Sequence, residues 1–84
     1  MPNDVTVTVL VFSALRERLG ADSCIVRAPG GAEPAALWPL LPEPIRRAAP
    51  PPGVRYAVND AWAIEGVPLA DGDRVALILP VSGG

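Results

Sequence analysis

The chain has 84 residues, half of them apolar and 19% charged, with seven basic and nine acidic side chains and a net charge of −2. That length holds one core and no second one, and the composition is that of a globular chain rather than a disordered one. The acidic balance gives no electrostatic reason to bind nucleic acid.

Histidine is absent and Cys24 is the one cysteine. The chain therefore lacks the commonest general base and metal ligand, cannot form an internal disulfide and suits no zinc site. A small core without disulfides fits a reducing, cytoplasmic setting. No signal-peptide pattern opens the chain, because Asn3 and Asp4 interrupt it, and no apolar run reaches membrane-spanning length. All seven basic residues are arginine. An activated acyl group on this chain could thus meet no lysine of its own.

Strict alternation over Val5–Phe12 predicts a strand with Val5, Val7, Val9 and Val11 on one face and Thr6, Thr8, Leu10 and Phe12 on the other. Ser13 is placed to cap a short helix, Ala14–Leu19, that Gly20 stops. Its wet side is Arg16, Glu17 and Arg18. Cys24–Arg27 reads as a second strand, ended by a turn at Pro29-Gly30-Gly31. From Ala32 to Pro52 the pattern is a core-facing helix carrying Leu37 and Trp38. Pro34 is tolerated in its first turn, Pro39 should kink or break it, and Pro42 and Pro44 should end it. Ile45–Ala49 adds one helical turn before the stiff Pro50-Pro51-Pro52 connector.

Val54–Val58 is the third strand. Asn59-Asp60 is a two-residue hairpin turn requiring positive φ, and Ala61–Ile64 pairs back. Asp71-Gly72-Asp73 forms a tight turn, and Arg74–Leu79 is the last strand. The order predicts an α+β domain, a mixed sheet packed on one helix layer. The first and last strands, apolar on both faces, should be parallel central neighbours.

Several groups look chemical and read as structural. Cys24, in an alternating strand, is a small hydrophobe without a neighbouring base. Asp71 and Asp73 carry turn chemistry, while Asp60, Glu65 and Glu33 are scattered surface or capping positions. No triad, cysteine–histidine pair or phosphate loop exists. Nothing here catalyses a reaction unaided.

Two features remain. One is a second apolar face: Phe12, Ile78 and Pro80, with Trp62 from the hairpin, should form an exposed partner-binding patch. The other is the ending Pro80-Val81-Ser82-Gly83-Gly84, directly after an apolar strand. Diglycine packs nothing and costs about 1–2 kcal/mol per residue to order. It does make a thin tail able to carry a terminal carboxylate into a narrow channel. The expected division is a domain over 1–79 and a flexible tail over 80–84.

The segment Val9-Leu10-Val11-Phe12-Ser13-Ala14-Leu15-Arg16-Glu17-Arg18-Leu19-Gly20 resembles the opening of the small subunit of molybdopterin synthase. Val58-Asn59, the run from Pro68 to Ala76, and the ending Leu79-Pro80-Val81-Ser82-Gly83-Gly84 are similar to that family as well. The resemblance implies a ubiquitin-like β-grasp fold and a sulfur-carrier role. Gly84 would be the reacting residue, first as an acyl-adenylate and then as a thiocarboxylate, with Val81, Ser82 and Gly83 as the tail. It implies no bound cofactor or metal, with ATP consumed by an adenylating and sulfurating partner. The large synthase subunit would be the second partner, in a heterotetramer that converts cyclic pyranopterin monophosphate to the dithiolene. Carriers for thiamine or cysteine synthesis and tRNA thiolation also end in diglycine. A plain β-grasp interaction module is the remaining alternative.

Overall fold

The computed structural model describes residues 3–47, 53–64 and 66–79. The expectations for the 80–84 tail, the triple proline, Ala48, Ala49 and Glu65 lie outside those residues. The strands are β1 (Val5–Leu10), β2 (Ser23–Ala28), β3 (Arg55–Val58), β4 (Ala61–Trp62) and β5 (Arg74–Ile78). They form one mixed sheet in the order β2-β1-β5-β3-β4. β1 and β5 are parallel and central, paired as Thr8–Arg74, Val9–Val75 and Leu10–Ala76, and all other pairings are antiparallel. The expectation from two-sided apolarity holds.

One face of the sheet is covered. Val7, Val9 and Val11 are buried with Val26, Ala28, Val75 and Leu77. The helical layer supplies Leu15 from α1 (Ser13–Leu19), Leu37 and Trp38 from a 3₁₀ helix (Pro34–Leu40), Leu41, and Ile45 from α2 (Glu43–Arg46). The Trp38 indole Nε1 has no hydrogen-bond partner among the described residues. That desolvation costs about 1–3 kcal/mol, which burial of the large ring offsets.

The helical segments depart from the sequence expectation in three ways. Ser13 does not cap α1. Phe12 occupies the N-cap position with extended backbone and no side-chain cap bond, while Ser13 enters the helix at a φ of 49°. Gly20 does stop α1, at a φ of 78°, its N–H donating to the Arg16 carbonyl.

The core-facing segment is a 3₁₀ helix, with Ala36 N–H donating to the Glu33 carbonyl at 2.9 Å and Leu41 N–H to Trp38 at 3.1 Å. Proline has no N–H, so an α-helix here would lose its i→i−4 bonds at Pro39, Pro42 and Pro44. The shorter i→i+3 pattern suits such a brief run. Finally, Pro44 begins a helix rather than ending one. It lies in the first turn of α2, where its missing donor is not needed.

The turns follow the sequence. Asn59 and Asp60 have φ of 51° and 72°, the two positive values of a type I′ hairpin turn. β4 is shorter than Ala61–Ile64, although Ala63 N–H still donates to the Tyr56 carbonyl at 2.8 Å. At Pro29–Ala32, Gly30 is required by a close approach: a β-carbon there would collide with the Asn3 carbonyl oxygen.

Candidate functional site

Among the described residues, no helix covers the other face of the sheet. Paired residues share a face, so the registers read directly across it. One row runs Ser23–Leu10–Ala76–Ala57–Trp62, through all five strands. A second row is Ile25–Thr8–Arg74. Beyond the first row, Ile78 lies opposite Arg55. Leu10, Ala57, Ala76 and Ile78 are half-buried, while Trp62 and Ile25 are 57% and 66% exposed.

Of the residues expected in the patch, Ile78 and Trp62 therefore stand on this face. Phe12 is exposed and follows Leu10 by two residues. Continuing the Leu10–Ala76 register by two residues brings the chain at Phe12 level with Ile78. Pro80, Val81, Ser82, Gly83 and Gly84 lie outside the described residues, but they are the chain that follows β5.

Three contributors escaped the sequence reading. Ile25 belongs to the open face, a consequence of the Ser23/Ile25/Arg27 alternation in β2. Arg55 lies there too, its guanidinium carbon 5.1 Å from the centre of the Trp62 ring, within cation–π range. Beside the hairpin, a concavity of about 300 Å³ is lined by Pro34, Val58, Trp62, Ile64, Val67 and Leu69, among others. Ile64 and Val67 are brought together by a turn in which Val67 N–H donates to the Ile64 carbonyl at 3.2 Å.

The acidic residues near this face hold it in place. Asp71 Oδ1 accepts from the Thr6 N–H at 2.7 Å. Asp73 accepts from the Asn59 side chain at 2.9 Å and the Ala70 N–H at 2.8 Å. Asn59 Oδ1 in turn accepts from the Arg74 N–H at 3.0 Å. The two turns that flank β5 and β3 are thus tied together, as expected of turn chemistry. Glu33 Oε1 accepts from the Gly66 N–H at 2.8 Å, fixing the loop below the concavity. Cys24 is only half-buried, paired with Val9, and burial pushes its thiol up from the ordinary value.

A mixed five-stranded sheet with central parallel strands and helices on one side is the ubiquitin-like β-grasp fold. The ThiS family matches residues 9–84, and the chain belongs to that family of sulfur carriers. Small carriers of this kind are generally non-catalytic and work with partner enzymes.

Two solved structures are similar over nearly their whole lengths. One is a Pyrococcus furiosus protein assigned as molybdopterin converting factor, subunit 1, at 26% identity and a TM-score of 0.71, covering 92% of this chain and 99% of that one. Another is SAMP1 from Haloferax volcanii, at 25% identity and a TM-score of 0.74, covering 94% and 99%. The Haloferax volcanii HVO 2177 protein shares the fold, at 20% identity and a TM-score of 0.71 over 98% of this chain and 89% of its own. No curated protein matches the sequence closely. Among the described residues, no helix is long and apolar enough to cross a membrane.

Proposed function

We propose that the chain is the sulfur-carrying small subunit of a cytoplasmic molybdopterin synthase. The observation that carries this reading is the apolar face of β1 and β5 that the described residues leave uncovered, with β5 leading straight into a diglycine ending that the family match includes. The likeness to the Pyrococcus converting-factor subunit directs it to the pterin pathway.

In the proposed cycle an adenylating partner binds the open face and receives the segment 80–84. A terminal carboxylate has a pKa of roughly 3.5 and is ionised at neutral pH. The Gly84 carboxylate attacks the α-phosphate of ATP and pyrophosphate leaves, giving the acyl-adenylate. A sulfide-level donor then attacks the acyl carbon and AMP leaves, giving the thiocarboxylate. The same face next docks on the large subunit. There the thiocarboxylate sulfur bonds to a side-chain carbon of cyclic pyranopterin monophosphate and displaces an oxygen substituent from it. Water then attacks the acyl carbon, the acyl carbon–sulfur bond breaks, the sulfur stays on the pterin and the Gly84 carboxylate is restored. A dithiolene holds two sulfurs, so two loaded carriers are consumed per product. The carrier supplies a nucleophile and a docking face. Its partners supply bases, cations and the nucleotide site.

The direct test is intact-mass measurement after incubation with ATP, the activating enzyme and a sulfur source. The expected result is the mass gain of one oxygen-to-sulfur exchange, located on Gly84. Deleting Gly84 shortens the segment by about 3.5 Å and leaves the acyl carbon short of the reacting atom. A Gly84 deletion that still formed the dithiolene at the normal rate would sink the carrier reading. Gly83→Val should block a channel too narrow for a β-carbon while leaving the thermal midpoint unchanged. Ile78→Asp should weaken the complex with the large subunit.

The likeness to SAMP1 favours a second reading, a carrier serving another sulfur acceptor. Thiocarboxylate formation without dithiolene production, given the large subunit and precursor, would select it.

A further inference from the structure

The charges on the open face run against those of the chain. The chain as a whole has nine acidic and seven basic residues. Yet every charged strand residue whose register places it on the open face is an arginine: Arg27, Arg55 and Arg74. Two of these have carboxylates at the rim. Arg27 lies 3.8 Å from Asp4, and Arg74 lies 3.5 Å from Asp60. Arg55 has no carboxylate partner among the described residues. It stands between Ile78 and Trp62, with the indole ring as its contact.

A guanidinium held over an aromatic ring keeps its fork of donors available and has already lost part of its side-chain freedom. Left in water, it adds little to stability. Covered by an apolar partner without an acid opposite, it would be a buried unpaired charge and would oppose docking. Ile78 opposite it and the adjacent run Leu10–Ala76–Ala57–Trp62 are apolar, so whatever covers Ile78 and Trp62 must also cover Arg55.

We infer that the open face docks an apolar partner surface bearing a carboxylate, which pairs with Arg55 across the Trp62 ring. This rests on the docking reading above and names the chemistry of the partner: the apolar rows supply contact area, and the Arg55–carboxylate pair fixes the register and favours an acidic partner. The occupant is the large subunit that receives the segment following β5. A second copy of this chain is disfavoured, because two such faces would oppose arginine to arginine.

The experiment is calorimetric titration of the large subunit with the wild-type chain, Arg55→Gln, Arg55→Glu and Phe12→Ser, at low and high salt. Arg55 and Phe12 are exposed, and circular dichroism confirms that each variant is folded. Arg55→Gln should weaken binding roughly tenfold, the effect of removing one charged hydrogen bond. Arg55→Glu should weaken it further, and both should show a shallower salt dependence than wild type.

Arg55 variants that bind within twofold of wild type, while Phe12→Ser binds poorly, overturn this inference and leave the docking reading standing. Normal binding by all three variants, or none by the wild-type chain, overturns both. Self-association of the isolated chain that Arg55→Glu abolishes would assign the face to a second copy, and would overturn the acidic-partner inference.

Discussion

The two sides of the sheet are built from the same strands and do opposite work. Along β5 the alternation is plain: Val75 and Leu77 are buried, while Arg74, Ala76 and Ile78 face out. On the covered side, Leu15, Leu37, Trp38, Leu41 and Ile45 pack against the valine rows of β1 and β5. On the open side, Leu10, Ala76, Ile78 and Trp62 have no helix packed over them among the described residues. A sheet of this size needs one covered face to fold. Its second apolar face contributes little to folding, and on the proposed reading it is the face that meets a partner.

The sharpest way to break this comparison is to place one change at two adjacent positions. Leu77→Asp puts an unpaired carboxylate into the core, a cost of several kcal/mol against a total stability of about 5–15 kcal/mol. It should abolish the cooperative melting transition. Ile78→Asp, one residue on, should leave the domain folded, because the new carboxylate sits opposite Arg55, and such cross-strand pairs contribute about 0.2–1 kcal/mol. Unfolding by both variants would mean that the open face is part of the core.

Next in size, Leu37→Ala removes a fully buried side chain. It should cost about 2–5 kcal/mol in denaturant titration, whereas Trp62→Ala, despite its larger side chain, should cost under about 1 kcal/mol. Asp73→Ala tests the frame between the faces. Losing its bonds to Asn59 and to the Ala70 N–H should cost about 1–3 kcal/mol. It should also loosen the hairpin carrying Trp62, seen as faster amide exchange at Ala63.

The smallest effect is one of pH. Tyr56 and Cys24 pair with buried Leu77 and Val9 on the covered side, and burial raises both above their ordinary values of 10.0 and 9.0. The folded state therefore holds these protons more tightly than the unfolded chain does. The associated stability is fully present below pH 9 and is lost as pH rises past the ordinary values and through the raised ones. The thermal midpoint should decline above pH 9. A Tyr56→Phe, Cys24→Ala double variant should show a shallower decline.

Much of the covered side was legible in sequence because it rests on local periodicity. The period-2 run from Val5 marked the residues of β1 that are buried, and Asn59-Asp60 announced a turn with two positive φ values. The helical layer was half legible. Pro34, Leu37, Trp38, Leu41 and Ile45 are all buried, the spacing of an α-helical stripe. The stripe is real, but the prolines prevent one helix from carrying it, and the chain divides it between a 3₁₀ helix and a short α-helix.

The open side was less legible, because it depends on register between strands distant in sequence. Phe12, Trp62 and Ile78 stood out by size and alternation. Ile25 and Arg55 became members only once β2 and β3 were aligned on their neighbours. No local pattern states that Arg55 lies against Trp62.

The central position of β5 has a mechanical consequence. Hydrogen bonds join it to β1 on one side and β3 on the other, so tension applied at Leu79 is directed along the strand and across both ladders at once. The bonds are loaded in shear and share the force, instead of opening one by one as they would at a sheet edge. A partner that grips the chain beyond Leu79 and draws it into a tunnel therefore pulls against the strongest axis of the domain. The same geometry should make this end a poor starting point for an unfolding motor, and force spectroscopy from the C-terminus should record a higher rupture force than pulling through β4.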